Sequence, residues 1–64
     1  MSLNLNKTQQ REVCTAIARI PSLGTDYAAR CISALYRCAM KDSQRRELIS
    51  IAMAYKLLSS PDWQ

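Results

Sequence analysis

The segment "RELISIAMAYKLL" sets the strongest constraint on what this chain can become. If residues 48–58 form one helix, Ile49, Met53 and Leu57 lie on one side and Leu48, Ile51, Tyr55 and Leu58 lie roughly opposite. A helix that is apolar on most sides has to be buried on most sides. The whole chain has 64 residues, enough for one domain. A domain of that size hides only about 60% of the surface its unfolded chain exposes. Something must therefore cover the second face.

Small chains gain extra stability from disulfides, a metal, or a second copy of themselves. Three cysteines, Cys14, Cys31 and Cys38, are an odd number for a disulfide framework. Cys31 and Cys38 would sit about 10 Å apart along one helix, beyond the roughly 7 Å that a bridge spans. A bridge from Cys14 to either one is geometrically open, but no spacing calls for it. The opening "MSLNLNKTQQ" turns polar at once and has no apolar signal-peptide core. Reduced thiols, acting as small buried apolar residues in a cytoplasmic protein, are the expectation. With no histidine and no closely spaced cysteine pair, a metal centre is not expected. Self-association remains.

One glycine, two prolines and no alternating β-branched runs make the composition helical. The reading is all-α, a single domain over 1–64 with tails at 1–6 and 59–64. Helices are expected at about 7–20, 26–41 and 43–58, the last two being either separate or one kinked or continuous helix. Asn6 and Gln9 form a capping-box pair, and Pro21 ends the first helix. Thr25 caps the second, Asp26 complements its dipole and stands four residues before Arg30, the spacing of an ion pair. At "KDSQRRE" a break is favoured over continuity: the in-phase stripe Leu35, Ala39, Asp42, Arg46, Ile49, Met53, Leu57 is interrupted by two charges. Asp42 can pair there with Arg45 or Arg46.

A homodimer with its interface at Leu48, Ile49, Ile51, Met53, Tyr55, Leu57 and Leu58 follows, since a two-fold contact needs only one self-complementary patch. The competing arrangement is a compact monomer whose last helix is wrapped by "MSLNL" and the C-terminal tail. Pro61 directs Trp63 back toward the body.

Catalysis is not expected, because no histidine serves as a base for Ser or Cys and the carboxylates are scattered. No cofactor, small-molecule substrate or membrane span is implied. The net charge of +4 favours anionic partners. Arg30, Arg37 and Lys41, extended by Arg45, form a basic face that is the candidate partner surface, with Trp63 as a second anchor. Another protein is the preferred partner, through that face, Trp63, Tyr27 or Tyr36. DNA is the alternative, but the last helix reads as too apolar to enter a groove.

The length, the helix–short loop–helix plan, and "TDYAARCISALYRCA" feeding into "QRRELISIAMAYKLL" resemble the small accessory proteins of temperate lambdoid phages encoded between the recombination and excision genes. The resemblance implies a non-enzymatic helical protein of the host cytoplasm that modulates host or phage development. It carries over no functional residue.

Overall fold

A computed structural model describes residues 4–63, so residues 1–3 and 64 of the expected tails lie outside the described part. Four helices follow in order: α1 (Lys7–Ala18), α2 (Ile20–Leu23), α3 (Thr25–Cys38) and α4 (Asp42–Ala54), with no strand among the described residues.

The start of α1 is the expected capping box. The Gln9 amide donates to Asn6 Oδ1 at 2.7 Å, and the Asn6 amide donates to Gln9 Oε1 at 2.9 Å. Two of the orphan donors at the helix start are thereby satisfied. The far end differs from expectation. The helix stops at Ala18 rather than at residue 20, and Pro21 enters the first turn of a one-turn helix, α2. Proline loses nothing there, because a first-turn amide has no partner within the helix. The cap of α3 is Gly24 rather than Thr25, which is itself the first helical residue. Gly24 has φ of 85°, a backbone region that glycine enters freely.

The chain does break between α3 and α4. Ala39 and Lys41 are extended, with ψ of 133° and 140°, and Lys41 caps α4. The gain from breaking is visible in burial. Folding back lets α4 lay Leu48 and Ala52 against α3, where both are fully enclosed. A continuous helix would leave Leu48 in water, at a loss of about 1.5–3 kcal/mol.

A third departure resolves the two-faced helix. The expected helix over 43–58 ends at Ala54, because Lys56 adopts the left-handed conformation with φ of 59°. The Leu57 amide donates to the Ala52 carbonyl at 2.7 Å and the Lys56 amide to the Met53 carbonyl at 3.1 Å. This paired arrangement is a Schellman motif, in which the apolar residue after the turn packs on the last helical turn. Leu57 is accordingly buried at 0% exposure beside Ala52.

Helix α3 is the centre of the molecule. It packs against each of the other three helices, whereas α1 and α4 have no Cα pair within 8 Å. The core comprises Leu5, Val13, Ala16, Ala28, Ala29, Ile32, Ala39, Leu48, Ala52 and Leu57. The Cα radius of gyration is 10.6 Å, against about 10.7 Å expected for a compact single chain of this length. The compact alternative thus describes the subunit better than an open hairpin does, although α3 rather than α4 is the wrapped element.

Candidate functional site

The interface expected over residues 48–58 is largely consumed inside the subunit. Leu48 and Leu57 are fully enclosed, so neither can face a partner. Ile49, Ile51 and Leu58 are half-buried, and Tyr55 and Met53 are exposed. The outward face of α4 carries Ser43, Arg46, Ser50 and Met53, a mostly polar row. Part of it, Ser43, Arg46 and Ser50 with Asn4 and Glu47, lines a shallow polar hollow. There the Asn4 side-chain amide donates to Glu47 Oε1 at 3.2 Å.

The basic face is exposed, and the C-terminal tail is tethered along it. After Leu57 the chain makes two tight turns, with the Ser60 amide bonded to the Leu57 carbonyl and the Trp63 amide to the Ser60 carbonyl. It then runs along α3. Ser60 Oγ donates to Asp26 Oδ1 at 3.2 Å. Asp62 pairs with Arg30 at 3.6 Å, and Arg37 Nη2 donates to the Asp62 carbonyl at 3.4 Å. The Trp63 ring meets Tyr36 at a centroid distance of 5.7 Å, tilted by 44°. Asp26, Arg30, Ser33 and Arg37 recur at helical spacing; the tail is tethered along this stripe of α3, where Ser33 is buried while Asp26, Arg30 and Arg37 stay exposed. Asp26 and Arg30 therefore do not pair with each other as expected; each takes a partner from the tail. Arg45 is held by Asp42 at 3.7 Å, and Lys41 is exposed at the helix cap. Trp63 folds back as the proline implied, and it packs as part of the body.

What stays open is the next stripe of α3. Tyr27, Cys31, Ala34 and Cys38 also recur at helical spacing, with Leu35 beside them, and they face α1 across a groove of about 490 Å³. Ala16 contributes from α1, and Arg11, Glu12 and Thr15 form that lip. At one end Arg19 Nη1 donates to the Tyr27 hydroxyl at 2.9 Å, which ties the end of α1 to the start of α3. The floor is apolar and the rim is polar. The cysteines here correct the expectation of burial: Cys38 and Cys14 are exposed and Cys31 is half-buried, all three as free thiols.

Sequence reasoning misses this groove because it expects Cys31 and Cys38 to be small buried apolar residues. The available signal was their mutual spacing, which sets them on a face distinct from Ala28, Ile32 and Ala39.

Among the described residues no cluster of three or more potential ligands could hold a metal ion. No helix among them is long and apolar enough to cross a membrane. No family model, curated protein or solved structure matches the chain.

Proposed function

We propose that this chain acts by binding another protein chain, without catalysis, and that the groove between α1 and α3 is its binding surface. The observation that carries this reading is the coverage of α3. Helices α1, α2 and α4 pack against α3, the C-terminal tail is tethered along its basic side, and the side that faces the groove is open and apolar. An apolar strip left in water is a standing drive toward association, at about 25 cal/mol for each Å² removed from solvent. The homodimer inferred from the sequence is retained in this proposal, with its contact moved from residues 48–58 to the groove. The part in host or phage development implied by the resemblance to lambdoid accessory proteins is consistent with a small binding protein of this kind.

Ala34→Arg places a charge in the middle of the groove, at an exposed position where the subunit itself can accommodate it. The variant is expected to keep its far-UV circular dichroism and thermal midpoint while losing association, read by sedimentation and by capture of partners from bacterial lysate. Unchanged association in both assays would overturn the groove as the binding surface.

DNA binding through Arg30, Arg37, Lys41 and Arg45 is the weaker reading, since Arg30 and Arg37 already hold the tail and Arg45 is paired with Asp42. A mobility shift on random duplex that fades steeply with added salt would favour it over protein binding.

A further inference from the structure

We infer that the C-terminal segment over residues 60–63 is an internal ligand. It fills, within the chain, a docking site on α3 for a peptide that carries a hydroxyl, a carboxylate and an aromatic side chain on a tight turn. This site is separate from the groove between α1 and α3 and does not depend on it.

The segment is folded by its own hydrogen bonds. The Ser60 amide donates to the Leu57 carbonyl at 3.1 Å, the Trp63 amide to the Ser60 carbonyl at 3.0 Å, and the Asp62 amide to Ser60 Oγ at 3.3 Å. All three bonds lie within residues 57–63. The turn so formed presents four different groups to α3: the Ser60 hydroxyl to Asp26, the Asp62 carboxylate to Arg30, the Asp62 carbonyl to Arg37, and the Trp63 indole to the Tyr36 ring.

The receiving side does not rely on the tail for its own structure. Asp26, Arg30 and Arg37 are exposed, so water can replace each of their contacts. Ser33, the buried polar residue of the stripe, donates its hydroxyl to the Arg30 carbonyl at 3.0 Å, within its own helix. Other residues of α3, Ala28, Ala29 and Ile32, enter the core. An exposed ion pair adds little to stability, because solvent screens it and two long side chains must be ordered. Complementary charge placed this way selects which segment docks more than it holds that segment in place. The contact is also made of Trp, Tyr and Arg, the residue types enriched among binding anchors. A segment tethered by a short linker acts at an effective concentration on the order of millimolar. A peptide of the same chemistry on another protein therefore competes with the tail, and the tail sets the threshold for that partner.

The test uses the full chain and a fluorescein-labelled synthetic peptide, SSPDW, read by fluorescence anisotropy. Asp62→Ala combined with Trp63→Ala disables the internal ligand and leaves the α3 side intact. With the tethered competitor gone, this variant should bind the peptide about tenfold more tightly than the parent does. Adding Arg30→Glu and Arg37→Glu should abolish that binding, as should a lysine in place of the peptide's aspartate. A tail that only buttresses the fold would lower the thermal midpoint when mutated and give no tightened binding. That result would overturn the inference, and so would tightened binding that survives both arginine reversals. The parent offers a second measurement. Trp63 is the only tryptophan, so its displacement by the tryptophan-free peptide SSPDF should move its emission to longer wavelength. Unchanged emission at about ten times the millimolar effective concentration would overturn the internal ligand. Random duplex DNA that displaces the labelled peptide from the tail variant would give Arg30 and Arg37 to nucleic acid, and would overturn the peptide as the ligand.

Discussion

Replacing Lys56 with glycine should make this protein more stable. Lys56 holds φ of 59° so that the Leu57 amide reaches the Ala52 carbonyl at 2.7 Å, and this turn delivers Leu57 into the core. A residue with a Cβ pays roughly 1–2 kcal/mol to sit in the left-handed region. Glycine escapes that strain but loses roughly 0.5–1 kcal/mol through its freer unfolded chain. The difference spans about 0–1.5 kcal/mol and centres on a net gain of about 0.75 kcal/mol. In a domain this small each kcal/mol moves the midpoint by roughly 4–8 °C, so a rise of about 3–6 °C is expected. Thermal and urea melts followed by far-UV circular dichroism measure it, with an unchanged urea slope showing that no new surface is exposed. Lys56→Ala serves as control; it keeps the strain, and the exposed side chain it truncates has no packing role, so its midpoint should barely move. A glycine variant that melts at or below the parent would refute the reasoning. It would mean that the helix runs on past residue 56 and that Leu57 is not turned inward by this cap.

Three other outcomes are expected from the same reasoning. Leu48→Ala empties a fully enclosed site and should cost about 2–5 kcal/mol, enough to leave most of so small a domain unfolded by circular dichroism at 25 °C. Asn6→Ala removes the side-chain acceptor of the capping box and should cost about 1 kcal/mol in urea unfolding, with the urea slope preserved. At Gly24 an added Cβ would meet no atom within 4 Å. Gly24→Ala should still destabilise by about 1 kcal/mol, because the cost lies in the backbone angle and not in crowding.

Much of the fold was legible in local chemistry. Asn6 and Gln9 announced the first helix, Pro21 and Gly24 marked the turn between α1 and α3, and the charges at 42 and 46 marked the break before α4. These features act over three or four residues, which is the range that sequence spacing can report. The end of α4 was not legible, because its left-handed turn is carried by a lysine, a residue type that ordinarily continues a helix. Extending the helix through that turn created the second apolar face; once Leu57 is turned inward, the paradox largely disappears. The fate of the basic stripe was hidden for a different reason. Whether Arg30 and Arg37 gain partners from the tail depends on where Asp62 arrives, and spacing within α3 carries no information about that. The groove was hidden by composition, since cysteine and alanine suit a packed interior and an open contact surface equally well.

The route of the tail has a consequence for the order in which the molecule assembles. The helix pairs join segments close in sequence, whereas the bond between Ser60 and Asp26 closes a separation of 34 residues and that between Asp62 and Arg37 one of 25. Closing longer loops carries a larger entropic cost, and the tail has nothing to grip until α3 is formed and α4 has folded back. The last stretch of chain should therefore dock late and release first. Its backbone amides should exchange with deuterated solvent ahead of those in α3, as the outermost layer of a graded unfolding.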